Sequence, residues 1–343
     1  MSAFQLKDPG RIGVAVLGAG RMAQTHMRTL AGIGNVDVVV VADPVAAAAE
    51  KGREIAHARR AALDPLEAIA DPDVEVVVIV TPTSTHAELI DAALRAGRAV
   101  WTEKPIAQEI GETARIVDLW RGTGLPVAVG FMRRYDPGYA RAKELIDAGE
   151  LGRIEQFHAY SRDVNPPPLE FLLHAGGSFL DMSVHDLDLA RFLVGEVEEV
   201  HAWATTLFDD RFTQANDWDT AAIMLRFQNG AMGVVETARH STWGYDIRAE
   251  VCGSLNKVTV DADRKTPATV THGVNLQHDL YGDFFDRFDV AYRRELEVFF
   301  EDLVAGRTPL PGPDDALETL RLAVACTRSW RENRPVRLDE VTA

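Results

Sequence analysis

"IGVAVLGAGRMAQTH" occupies residues 12–26, and its reading decides how the first part of the chain is built. The opening run is continuously apolar, as in a strand buried on both faces. Gly18, Gly20 and Ala23 then form a G-x-G-x-x-A pattern, and helical spacing follows. Strand, glycine turn and helix open a dinucleotide-binding βαβ unit. The first glycine makes the turn, the second lets backbone N–H groups approach a pyrophosphate, and the small third residue lets helix pack on strand. The positive end of the helix faces the phosphates. Arg21 and Met22, inside the same loop, are counted with Gly18 and Gly20 as cofactor contacts.

Outward from this stretch the pattern repeats. "VDVVVVADP", "VEVVVIVTP", "AVWTEKP" and "PVAVGF" are four further Val- and Ile-rich runs, and Ala-rich helical segments such as "HAELIDAALRAG" lie between runs. Strand alternating with helix predicts a Rossmann-type, doubly wound parallel sheet over residues 1–125. Asp43 ends the second strand, where a carboxylate accepts from adenosine ribose hydroxyls and repels a 2′-phosphate. Pro44 and Val45 follow it, with no adjacent Arg or Ser to receive that phosphate, so the cofactor read here is NAD and not NADP.

Beyond about residue 125 the texture changes. "RIEQFHAYSRD", "EVHAWATT", "DTAAIMLRFQNG", "AMGVVETARH" and "DIRAEVCGS" read as longer strands with partial alternation, and Asn229-Gly230 signals a hairpin. An open, mostly antiparallel sheet is predicted for an α+β domain over residues 126–343, with long helices around 284–305 and 314–331. "AAIMLRF" and "AMGVVET" are apolar or small on both faces, which predicts that a second subunit covers the outer face, in a dimer or tetramer.

The bulk numbers exclude several classes. A formal net charge of −16 repels nucleic acid and anionic membranes. The apolar runs are too short to span a bilayer. Cys252 and Cys326 stand in unrelated contexts, neither a disulfide framework nor a metal spacing, and suit a reducing compartment. The N-terminus lacks the pattern of a secretory signal. The expectation is a cytoplasmic protein with no metal and a small-molecule substrate.

Four places carry chemistry. Thr81 and Pro82 close a core strand at the sheet edge, where ligands bind in such folds. Ser84 or Thr85 can serve as the cap of the following helix, and His86 reads equally as a helix-start residue or a cofactor contact. Glu103, Lys104 and Pro105 follow the next strand; an ammonium there can stabilise alkoxide character on a substrate oxygen. "GGSFLDMSVHDLDLARFLVG" (176–195) sets Leu180, Val184 and Leu187 on one stripe and crowds Asp181, His185, Asp186 and Asp188 into the same turns. Asp181 and His185, four apart, share a helical face that Asp188 continues, whereas Asp186 points elsewhere and reads as solvated.

"GAGRMA", "EKP", "GFMRRYDPGY" and "GGSFLDMSVHDLDLARFL", in this order and at these separations, resemble the glucose–fructose oxidoreductase and inositol dehydrogenase (Gfo/Idh/MocA) family over about residues 11–338. Within it, "SRD" and "GYDIRAE" look most like inositol 2-dehydrogenases. The resemblance implies NAD-dependent oxidation of a ring carbinol to a ketone, myo-inositol to scyllo-inosose. It makes Lys104, Asp181 and His185 catalytic. His185 is then the general base, and Asp181 orients substrate or relays between Lys104 and His185. It adds Glu103 and Lys104 to the cofactor contacts, and Arg133 or Arg134, Asp163 and Tyr245 to the polyol contacts. The alternatives are another inositol isomer, a pyranose sugar, a non-catalytic NAD-binding regulator, or an NAD-using glycosidase.

Overall fold

The structure, a computed structural model, describes residues 4–262 and 264–342. It divides into two compact units, one of residues up to Met132 together with Tyr292–Glu318, the other of Arg133–Ala291 with Thr319–Thr342.

The first unit holds a six-stranded sheet of β1 (Ile12–Leu17), β2 (Val36–Ala42), β3 (Arg60–Ala62), β4 (Val76–Ile79), β5 (Ala99–Glu103) and β6 (Val127–Gly130). The order is β3-β2-β1-β4-β5-β6, every pairing parallel, so the direction of winding reverses between β1 and β4. Every residue of β1 and β4 is buried, as their continuous apolar runs require. The short edge strand β3 has no apolar run and is not legible in the sequence. Leu296, Phe299, Phe300 and Leu303 of the helix Asp289–Ala305 join Val14, Val16 and Trp101 in one core. A single cut at 125/126 therefore does not describe the two units: a helix's apolar stripe belongs to whatever covers it, wherever it falls in the chain.

The second unit holds β7 (Ile154–Arg162), β8 (Val197–Thr205), β9 (Thr220–Phe227), β10 (Met232–Ala238), β11 (Asp246–Gly253) and β12 (Lys257–Val260), with the short β15 (Val336–Arg337) at one edge. Their order is β12-β11-β7-β10-β9-β8-β15. All pairings are antiparallel except β10 with β7, which run parallel. The predicted hairpin joins β9 to β10. One sheet face buries Phe157, Ala159, Ile223, Leu225 and Val235, and the helix Val184–Val194 packs on β7 and β10. On the other face Trp203, Met224 and Met232 are about half exposed. A separate exposed hairpin, β13 (Arg264–His272) with β14 (Asn275–Leu280), has no apolar alternation and went unread in the sequence.

Candidate active site

The nucleotide loop is built as the glycine spacing requires. Gly18 has a φ of +92°, and a Cβ there would lie 2.5 Å from the Val80 carbonyl oxygen, so only glycine passes between β1 and β4. Gly20 is exposed and precedes the helix Arg21–Gly32 with no side-chain cap, and a Cβ added to it meets no atom within 4 Å. The helix start is thus left open for an anion. Ala23 is fully buried against the strand, Met22 is half-buried and Arg21 exposed. The loop fits a dinucleotide pyrophosphate.

Asp43 lies beyond β2. Its Oδ2 accepts the Ala19 N–H at 2.8 Å and its Oδ1 the Val45 N–H at 2.9 Å. One carboxylate therefore fastens the glycine loop to the second strand. Each oxygen retains acceptor capacity, so ribose hydroxyls can share it.

At the ends of β4 and β5 lie the half-buried Thr81, Glu103 and Lys104 and the exposed Pro82. His86 is not at the surface with them. It is 1% exposed, and its Nδ1 and Nε2 each lie 2.8 Å from a backbone carbonyl oxygen, of Pro105 and of Thr81 respectively. Burial pushes its pKa down, and the neutral ring donates to one of the two carbonyls. The cofactor-contact reading of His86 is corrected: the ring clamps the segment after β4 to the segment after β5.

Glu103 is held from beneath by residues the sequence reading missed. Its Oε1 lies 2.9 Å from His26 Nε2, and its Oε2 accepts the Lys104 N–H at 3.2 Å. His26 is fully buried on the inner stripe of its helix with Ala23, Met27 and Leu30. A histidine on an apolar stripe was the available signal. Glu295 is buried too, and burial, reinforced by the charge on Glu103, raises its carboxyl well above the usual range.

In the second unit, Gly176 and Gly177 have φ of +80° and +98°, a bend that side chains resist. The chain then enters a π-helical turn, Phe179–Ser183, which runs into the α-helix Val184–Val194. The sequence spacing predicted a plain α-helix; the wider turn sets Asp181 off from the α-helical ladder that carries His185. Such turns recur at functional sites. Leu180, Val184 and Leu187 are buried as predicted. From 179 to 190, Asp181 and His185 alone are not buried.

The other two acids behave differently from the expectation. Asp186 is fully buried, not solvated. Its Oδ1 accepts from Arg133 at 2.6 Å, and the Ser161 hydroxyl joins both. Asp188 does not continue an open face. It is 1% exposed and takes two hydrogen bonds from Arg134, at 2.6 and 2.8 Å. Arg133, expected as a polyol contact, is committed to Asp186 and only 3% exposed. A buried guanidinium needs a fixed counter-charge, and adjacent arginines in "MRRY" facing two buried acids supply two pairs.

Asp163 directly follows β7. Its Oδ2 accepts from Arg239 at 3.2 Å, and Arg239 also donates to Asp181 Oδ2 at 2.6 Å. Burial raises the Asp163 carboxyl above its usual range, Arg239 opposes this, and Asp181 adds to it. Tyr245 is 8% exposed, and burial pushes its hydroxyl pKa above the usual value. Arg239 escaped the sequence reading because it stands at the end of an apolar strand in no recognised motif. Among the described residues no group of histidine, cysteine or acidic side chains is arranged to hold a metal ion.

Residues 12–131 match a family model described as an oxidoreductase family with an NAD-binding Rossmann fold, and residues 139–259 match the GFO/IDH/MocA C-terminal domain. The chain is 38% identical, over 96% of its length and 97% of the relative, to a scyllo-inositol 2-dehydrogenase (NAD(+)) of Bacillus subtilis. A solved myo-inositol dehydrogenase of Corynebacterium glutamicum is 34% identical with a TM-score of 0.91, covering 96% of this chain and 99% of that one. A scyllo-inositol dehydrogenase of Lactobacillus casei, solved with bound NAD(H) and scyllo-inositol, is 25% identical with a TM-score of 0.89, covering 96% and 99%.

Proposed function

The chain belongs to the Gfo/Idh/MocA oxidoreductase family, and on that premise we propose that it oxidises one ring carbinol of an inositol to the ketone with NAD, the reaction being myo-inositol to scyllo-inosose. The observation that carries this reading is the pair Asp181 and His185, half-buried on a wall otherwise buried from 179 to 190. A polar pair kept at the surface of an apolar wall is what a neutral, hydroxyl-rich ligand needs.

NAD, when bound, supplies the acceptor for the hydride that leaves the carbinol carbon. Gly18, Gly20 and the helix start after them hold its pyrophosphate, and Asp43 holds the ribose and disfavours a 2′-phosphate. His185 takes the hydroxyl proton, because an imidazole titrates near neutrality and can return the proton in the reverse reaction. Lys104 steadies the oxygen as negative charge develops there. Glu103, fixed by His26, holds the backbone N–H of Lys104 and so sets where that side chain starts. Asp181 receives a neighbouring hydroxyl.

Self-association through the outer sheet face is part of the same reading. Trp203, Met224 and Met232 are exposed on one face of the adjacent strands β8, β9 and β10. The assignment to the cytoplasm rests on the free cysteines Cys252 and Cys326.

The test is a panel of inositol isomers and pyranose sugars with NAD and with NADP, followed by absorbance of the reduced cofactor. Turnover of an inositol with NAD is expected. If NAD binds and no polyol or sugar turns over, the protein is an NAD-binding regulator and the proposal fails.

A further inference from the structure

Arg239 lies behind the two carboxyl groups assigned to the polyol. Its side chain is 6% exposed, whereas those of Asp163 and Asp181 are 23% and 20% exposed. Each limb of the fork is used: Nη1 reaches Asp163 at 3.2 Å, Nη2 reaches Asp181 at 2.6 Å, and Nε reaches the Ser178 hydroxyl at 3.3 Å. Ser178 is itself fixed, donating its hydroxyl to Asp217 Oδ2 at 2.7 Å and its N–H to Oδ1 at 3.1 Å. The arginine backbone is fixed as well, its N–H donating to the Asp219 carbonyl at 2.8 Å.

Topology explains how the cluster forms. β10 pairs parallel with β7 in a register that sets Ala238 beside Arg162, so Arg239 and Asp163 emerge side by side at the same end of the sheet. The π-helical turn brings Asp181 to the other limb. Two carboxylates brought together repel, and one guanidinium, which stays charged at every working pH, offsets that repulsion and fixes their spacing.

We propose that Arg239 is the positioning residue of the polyol half-site: its single guanidinium holds Asp163 and Asp181 as a pair of acceptors for two neighbouring ring hydroxyls. The inference rests on the polyol reading above. It deepens that reading at one point: the ring is held by two adjacent hydroxyls and carries no acid group, because two acids and one arginine leave the cluster with excess negative charge.

The experiment compares wild type with Arg239→Lys, which keeps the charge and loses the fork, and Arg239→Met, which loses both. Both variants are expected to raise KM for the polyol about tenfold or more and to leave the Kd for NAD within about twofold. The charged and titratable groups facing Asp163 are Arg239, Asp181, Arg133 and Tyr245. In Arg239→Met the loss of the arginine charge moves the Asp163 titration to higher pH, and Arg239→Lys brings it back. Carbon-13 NMR of labelled aspartates reads the same titration without turnover. An unchanged KM in both folded variants, or a loss of NAD binding equal to the loss of polyol binding, overturns the proposal. If the wild type turns over no polyol, the functional reading fails on that control alone; the bridging is then judged by NMR, and an unchanged Asp163 titration in Arg239→Met overturns it. If Arg239→Met does not fold, Ser178→Ala, which removes the Nε anchor and the hydroxyl bond to Asp217 but keeps both Nη contacts, is expected to raise KM by a smaller factor, and no rise overturns the proposal.

Discussion

In the proposed reaction, replacing His185 by alanine removes the proton acceptor and leaves the glycine loop proposed for NAD unchanged. We expect kcat to fall about 10²–10⁴-fold, the usual worth of a positioned general base. The Kd for NAD, read by fluorescence titration of the reduced cofactor, should stay within about twofold; equal losses in both would remove His185 from the role of base. Glu295 offers a second residue-scale test. Its pKa is raised in the folded protein, so the fold binds this proton more tightly than the unfolded chain does. That contribution is fully present below the ordinary carboxyl range and is lost as pH rises through the folded value. Glu295→Gln removes the cost of ionising there. The variant should melt above wild type at about pH 8, by on the order of 1–3 kcal/mol, and the gap should close near about pH 4. A gap that is constant with pH would mean that Glu295 does not titrate in this range.

At the scale of elements, the helix Val184–Val194 is fastened by charge as well as by its apolar stripe. Arg133 and Asp186 are 3% and 0% exposed and lie 2.6 Å apart. Breaking such a pair from one side leaves a buried charge uncompensated. Arg133→Met should therefore cost about 3–5 kcal/mol in urea denaturation, and Arg133→Met with Asp186→Leu should recover most of that. A double variant no better than the single one would show that packing, not charge, decides the site. The pairing also explains the acids in "DMSVHDLDLARF". Asp186 and Asp188 hold the element in place, and Asp181 and His185 are left half-buried, where the proposed function puts the polyol. Sequence spacing put Asp181 and His185 on one face but misplaced Asp186 and Asp188, since the arginines that claim those two lie some fifty residues away at 133 and 134.

At the scale of the whole molecule, the self-association proposed above is tested on the outer face of the seven-stranded sheet. Met224 stands mid-strand on β9, opposite His201 on β8, and is 43% exposed. Met224→Glu places a charge in the proposed contact. Sedimentation velocity should show the oligomer dissociating at least about tenfold more readily, equivalent to about 1.4 kcal/mol. A wild type that is already monomeric, or a variant that sediments like wild type, would discard this face as the contact.

Local pattern was enough to read the parallel sheet, the glycine loop and the place of Asp43, because continuous apolar runs and a G-x-G-x-x-A turn leave the backbone few alternatives. Local periodicity likewise accounts for the strands β7 to β11 and for the long helices Asp289–Ala305 and Pro313–Glu332, but not for the break at Phe288 that leaves Phe284–Arg287 as a separate short helix. What meets across distance came from folding. It gave the helix Asp289–Ala305 its core partners in the first sheet, put His26 beneath Glu103, turned His86 inward, and made a wider turn of residues 179–183. Above all it set Arg239 between Asp163 and Asp181. A charge in a sequence has no partner until folding removes water around it, and the cost of burying it unpaired then selects which acid meets which arginine.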